Sequence, residues 1–277
     1  MLDRPTLLDG AMGTALLARG LPARTPPEAW LRERPEEIAR VHAEHAAAGA
    51  RVLLSCTFGC ASPRVEAAVG AAAVPSLCAT AVRLARAAAS PSGARVAGAV
   101  GPTGLVPAGG SVAPAPLELR YGVPLGALAE AGADLLWIES QWDLGEARAA
   151  LAAARRTGLP AVVTFTFEDA GGRLRAPHGP DAGDCLAAMA EEGAIAVGVN
   201  CVSPGDALAA LAAWAAERLA VPFVAKPSPG LPGAVATPAA FAAALRPAIA
   251  AGLRVVGGCC GATADHLRAL APLVSGG

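Results

Sequence analysis

Three cysteines in the last third of this 277-residue chain are spaced for metal chemistry: Cys201 in AIAVGVNC, and the adjacent Cys259 and Cys260 in VVGGCCGATADHL. Neighbouring residues on a strand point to opposite faces, so adjacent cysteines can share one ion only where the backbone leaves strand geometry. Gly257, Gly258 and Gly261 surround the pair and allow that departure, because glycine adopts unusual φ/ψ values cheaply and lets the backbone approach closely. Three thiolates with a fourth position open describe a catalytic zinc site, whereas structural zinc fills all four positions with protein ligands. Sulfur donors also favour zinc over magnesium or calcium. Competing readings stand beside this one. A single cysteine is commonly a core residue, which is the reading for Cys78 and Cys185 in helix-like segments and, less firmly, for Cys56 and Cys60. A vicinal disulfide between Cys259 and Cys260 is a strained alternative. An iron–sulfur cluster wants a fourth cysteine, which Cys56 could supply only in a distorted barrel.

The elements that must position these residues alternate along the chain. Strands are expected at 6–10, 51–58, 94–101, 133–140, 161–167, 194–201, 222–228 and 253–260, each nearly continuous in apolar residues, as for strands covered on both faces. Helices are expected at 35–49, 75–89, 143–158, 181–193, 203–219, 237–252 and 263–274. A weaker, short helix follows the Pro/Gly loop at 108–116. Pro35 with two early carboxylates and Asp143 with a closing Gly158 are helix start and stop signals. Eight strands alternating with helices predict an α/β fold, a single (β/α)8 TIM barrel occupying 1–277 as one domain. The structural alternative, a doubly wound open sheet, lacks the glycine-rich turn expected after its first strand.

In such a barrel the catalytic groups lie at the C-terminal ends of the strands. Those ends carry Asp9-Gly10, Cys56-Thr57, Glu139-Ser140, Asn200-Cys201, Lys226 and Cys259-Cys260. The cysteines of strands six and eight, separated by one strand, therefore share a stretch of rim.

Composition narrows the partners. Net charge is −1, the basic residues are scattered arginines and Lys226 is the sole lysine, so neither a nucleic-acid stripe nor a polybasic membrane patch is present. Charged residues, Pro or Gly interrupt every apolar run before membrane-spanning length. The opening MLDRPTLLDG is not a signal peptide. Seven cysteines, an odd number without a leader, read as cytoplasmic thiols or metal ligands rather than a disulfide framework.

Five segments in order carry a specific resemblance. LLDGAMGTALLARG, GARVLLSCTFG, GADLLWIESQWDLGEARAAL, VGVNCVSP and VVGGCCGATADHLRAL resemble the homocysteine S-methyltransferase family across essentially the whole chain. That family includes betaine– and S-methylmethionine–homocysteine methyltransferases and the homocysteine domain of cobalamin-dependent methionine synthase. The resemblance implies a (β/α)8 barrel, Zn2+ on Cys201, Cys259 and Cys260, and recognition of the homocysteine amino group by Asp9, beside Gly10, and by Glu139. Taken alone, each carboxylate could equally be a helix cap or a salt-bridge partner. The chain departs from the family at Ser55-Cys56-Thr57, at Pro227-Ser228-Pro229-Gly230, and at Ser140, where some members place a tyrosine that ligates zinc.

The implied activity is transfer of a methyl group to homocysteine, giving methionine, from a small donor such as S-methylmethionine or betaine. A separate corrinoid protein delivering methylcobalamin in trans is the alternative source, and another thiol an alternative acceptor. Two readings outside methyl transfer remain: a Schiff-base aldolase using Lys226, and a protein that binds zinc without catalysis. Oligomeric state is left open.

Overall fold

The computed structural model describes residues 2–107, 110–177, 179–230 and 233–275. Eight parallel strands form its centre: β1 (Thr6–Leu7), β2 (Val52–Leu54), β3 (Arg95–Val100), β4 (Leu135–Gln141), β5 (Ala161–Phe165), β6 (Ala196–Asn200), β7 (Phe223–Lys226) and β8 (Val255–Val256). Each pairs with its chain neighbours, and β8 returns to β1 with Leu7 opposite Val256. A single parallel bridge from Leu8 to Val52 joins β1 to β2. The fold is the expected (β/α)8 barrel.

Alternation of side chains divides the core into two layers. Leu8, Val52, Leu54, Ala97, Ala99, Leu135, Trp137, Val162, Ala196, Val224 and Val255 point into the barrel and fill it. Their strand neighbours, among them Leu7, Leu53, Val96, Leu136, Val163, Val197 and Val256, face outward against the helices. Both faces are buried, which is why the strands read as unbroken apolar runs.

One main helix follows each strand: α1 (Pro35–Ala47), α2 (Val74–Ala89), α3 (Pro114–Glu130), α4 (Leu144–Arg155), α5 (Ala182–Glu191), α6 (Pro204–Ala216), α7 (Pro238–Ala250) and α8 (Ala264–Ser275). Asp143 caps α4 by accepting from the Glu146 amide, and Ser203 and Asp206 form a capping box on α6. Cys78 in α2 and Cys185 in α5 are fully buried core residues.

The helix after β3 departs from expectation. α3 runs 17 residues rather than a short stretch, and the expected loop at 108–116 gives way to helix at Pro114; residues 108 and 109 lie outside the described residues. Pro114 sits where a helix start needs no amide donor, and burial of Leu117, Tyr121, Leu125 and Leu128 carries the helix through Pro124. Among the described residues no single helix is long and apolar enough to cross a membrane.

Candidate metal centre and active site

The strands stop short at the end of the barrel where the candidate residues lie. β8 pairs only through Val256, after which Gly257, Gly258, Cys259 and Cys260 turn across the rim. Backbone bonds hold this turn from three sides. The Gly258 amide donates to the Asp9 carbonyl at 3.1 Å, that of Cys259 to Pro227 at 2.9 Å, and that of Ala262 back to Cys259 at 2.9 Å.

The glycines act by close approach more than by torsion. A Cβ on Gly257 would lie 2.6 Å from the Asp9 carbonyl oxygen, and one on Gly258 would lie 2.2 Å from the Ala262 methyl. Only Gly261 has a positive φ, +84°, and a Cβ there would also meet the Gly230 carbonyl at 2.4 Å. Gly257 and Gly261 pack against backbone and Gly258 against the Ala262 methyl, so no side chain fits at any of the three.

Cys201 follows β6, whose last residue, Asn200, pairs with Lys226 of β7. Its φ of +57° and the +58° of Ser140, at the end of β4, are two of the few left-handed non-glycine residues in the chain. Such strain, of order 1–3 kcal/mol per residue, persists only where surrounding contacts enforce it. The turn and Cys201 bring the three sulfurs of Cys201, Cys259 and Cys260 within 4.8 Å of one another, a group that could hold a metal ion. Cys201 and Cys260 are 3.9 Å apart, and the sulfurs of Cys201 and Cys259 lie closer still, near enough to pair as a disulfide when no metal separates them. Burial pushes the Cys260 thiol above its ordinary value, with Glu139 adding to the shift; a bound cation would oppose both effects.

A cavity of about 660 Å³ opens beside the sulfurs, walled by Asp9, Gly10, Glu139, Ser140, Cys201, Lys226, Cys259 and Cys260. Its outer wall carries Glu28, Cys56, Phe58, Arg64 and Trp142. Asp9, Gly10, Glu139, Lys226 and the three cysteines therefore border one space. Gly10 is small of necessity, since a Cβ would lie 2.7 Å from the Ala262 carbonyl oxygen and 2.9 Å from His45 Nε2.

The charged groups are arranged around buried Lys226. Its ammonium pairs with Asp9 Oδ1, while Asp9 Oδ2 accepts from the Leu54 amide at 2.7 Å. This is the rim-cation arrangement for Lys226, not a free amine. Glu139 is partly buried. Desolvation pushes its pKa up to about 7, the Lys226 charge works against that shift, and the Asp9 charge adds to it.

Several contributors were not singled out as functional from the sequence. Asn200, fully buried, reaches across to Ser140 and the sulfurs; a lone amide ending an apolar strand was the available signal. His42 and His45 on α1 are buried behind Asp9 and held neutral by desolvation, at about 4 and about 3. Glu28 is buried and accepts from the Gly59 amide at 2.6 Å. Nothing in its helix-start surroundings marks it as a cavity residue.

Comparison with known proteins agrees with the geometry. The family described as homocysteine S-methyltransferase matches residues 6–274. A methionine synthase of Mycobacterium leprae (strain TN) is 30% identical over 302 residues, covering 99% of this chain but 25% of its own length. The chain thus spans about a quarter of that relative. The S-methylmethionine–homocysteine S-methyltransferase BHMT2 of Rattus norvegicus is 29% identical over 272 residues, 88% of this chain and 71% of its own. Among solved structures, the metallated form of the homocysteine methyltransferase MmuM from Escherichia coli superposes with a TM-score of 0.81 at 29% identity, covering 97% of this chain and 96% of that one.

Proposed function

This chain belongs to the homocysteine S-methyltransferase family, and from that premise we propose that it transfers a methyl group to the sulfur of homocysteine, with zinc held by Cys201, Cys259 and Cys260 and the barrel acting as one domain. One observation carries the reading: three convergent sulfurs and two carboxylates, Asp9 and Glu139, border the same cavity. A thiol with an ammonium group a few bonds away needs both.

The donor set suits zinc. Three cysteine sulfurs converge within 4.8 Å of one another, and thiolate sulfur is the donor that zinc takes in preference to magnesium or calcium. When bound, zinc supplies the Lewis acidity that removes the proton from a thiol of ordinary pKa about 8.5.

The protein's own groups bind and aim the substrate. Asp9 and Glu139 with Lys226 leave one net negative charge when all three are ionised, enough to attract an ammonium while Lys226 keeps Asp9 in place. Because Glu139 titrates near 7, an arriving cation favours its ionised form. The cavity holds the sulfur in line with the donor's methyl group. The S–CH3 bond forms as the donor's bond to that methyl breaks, and a sulfonium or quaternary ammonium donor departs neutral. S-methylmethionine is the donor we place first, in keeping with the likeness to rat BHMT2.

A second source of methyl, a corrinoid protein acting in trans, draws support from the methionine synthase likeness and from Phe58 and Trp142, both exposed at the cavity mouth. A donor screen separates the two. Purified zinc-loaded protein is offered homocysteine with S-methylmethionine, betaine or methylcobalamin, and methionine is measured. Product with S-methylmethionine supports the first source, and product with methylcobalamin alone supports the second. No methionine from any donor, with zinc bound, leaves a non-catalytic zinc protein or another thiol acceptor.

A further inference from the structure

The carboxamide of Asn200 has an orientation that the surrounding donors fix. Its Oδ1 accepts from the Ser140 amide and from Thr164 Oγ1, each at 2.7 Å. A backbone N–H can only donate, so the atom facing Ser140 must be oxygen. Nδ2 therefore points the other way, donating to Ser140 Oγ, with Cys201 Sγ at 3.6 Å and Cys259 Sγ at 3.9 Å. Asn200 is fully buried, so no water competes for these donors. The same side chain joins the two left-handed residues, Ser140 and Cys201, across the end of β5.

We propose that Asn200 is a positioning residue for the thiolate centre, whose side-chain N–H group donates to the sulfurs of Cys201 and Cys259 and draws negative charge off them. Three thiolates on a divalent ion carry one net negative charge, and a fourth, from the substrate, raises it to two. Hydrogen bonds to sulfur spread that charge in a buried, low-dielectric setting, where they count for more than in water. They ease entry of the fourth thiolate and strengthen the hold of the site on its ion. Partners one step out from metal ligands characteristically change metal affinity by 10–100-fold when removed. Ser140 Oγ, 3.9 Å from Cys201 Sγ and itself bonded to the Asn200 amide, continues the same network.

This inference rests on the metal-binding reading of the three cysteines, and the test separates the two. Asn200→Asp keeps an oxygen for Ser140 and Thr164 but loses the N–H donors, while Asn200→Ala loses both. Zinc affinity is measured by chelator competition, Co2+ replaces zinc for absorption spectroscopy, and thermal unfolding of the metal-free proteins reports structure. We expect Asn200→Asp to be at least as stable as Asn200→Ala, yet to bind zinc at least tenfold more weakly than the unmodified protein. Its cobalt–thiolate charge-transfer band should move to longer wavelength. If Asn200 serves only to tie the strand ends together, Asn200→Asp will restore zinc affinity and the cobalt band in step with stability, and the proposal falls. A second measurement needs no variant. In protein loaded with 113Cd, a scalar coupling between the metal and an Asn200 side-chain amide proton is expected, and its absence overturns the proposal even if both variants fail to fold. Should the unmodified protein take up neither cobalt, cadmium nor zinc, the metal-centre reading fails first and this inference with it.

Discussion

Glu139 makes the pH dependence of substrate capture a test of the binding site. Its carboxyl is pushed up to about 7, chiefly by desolvation, with Lys226 opposing and Asp9 reinforcing the shift. A raised value means that the group is neutral below that pH and charged above it. Its ionised fraction is then about nine-tenths at pH 8 and about one-tenth at pH 6, so its attraction for an ammonium is available to roughly tenfold fewer molecules at the lower pH, about 1.4 kcal/mol. Glu139→Gln is neutral throughout. The thiol's own ionisation affects both proteins alike and cancels in their ratio. The assay is kcat/KM for homocysteine from pH 6 to 8 with zinc bound and donor saturating, run on both proteins. The ratio of unmodified protein to Glu139→Gln should rise about tenfold over that range, with its midpoint near 7. A ratio that stays level with pH would refute the assignment of Glu139 as the ionised partner of the substrate cation.

Other consequences can be checked directly. Purified protein should carry about one zinc per chain, and Cys259→Ser should lose most of the metal and at least about a hundredfold in methyl transfer, by elemental analysis and methionine assay. Buried His42 has its pKa lowered to about 4 from 6.5 by desolvation, so its contribution to stability is lost as pH falls below 6.5. Between pH 7 and 5.5 the unmodified protein should lose about 1.2 kcal/mol more than His42→Leu in urea unfolding. Gly198→Ala would place a methyl 1.8 Å from the Val224 carbonyl across the β6–β7 ladder, and should cost about 3 kcal/mol or more, or abolish soluble expression. Gly122→Ala, in α3 with open space around it, should instead raise the melting temperature, by about 0.5–1 kcal/mol of stability.

Much of the fold was legible because parallel strands covered on both faces leave long apolar runs, and their C-terminal ends point out the rim. The ends themselves were read too long. Asp9, Ser55, Cys56 and Gly258 to Cys260 fall within the expected strands, yet they lie beyond the paired segments and wall the cavity. Periodicity registers which face a side chain takes, not where backbone pairing stops. The length of α3 was hidden by its prolines, whose cost depends on burial that only the folded chain supplies. The cysteine triad was legible because its residue types have few other uses in that grouping. Asn200 carried no such mark: an amide in a strand end could face anywhere, and its direction follows from Ser140 and Thr164 on two other strands.

The seam between β1 and β2 has a dynamic meaning. Only one bridge, Leu8 to Val52, closes the ring there, and immediately beyond it the Leu54 amide is bound by the Asp9 side chain instead of a strand carbonyl. A carboxylate thus stands in for a missing rung, and the same carboxylate borders the cavity and holds Lys226 of β7. Local opening of the barrel at this point must release Asp9, so any cation that settles on Asp9 also latches the ring. Hydrogen exchange at the Leu54 amide is then a reporter of site occupancy, slowing as the site fills and hastening when Asp9 is drawn away.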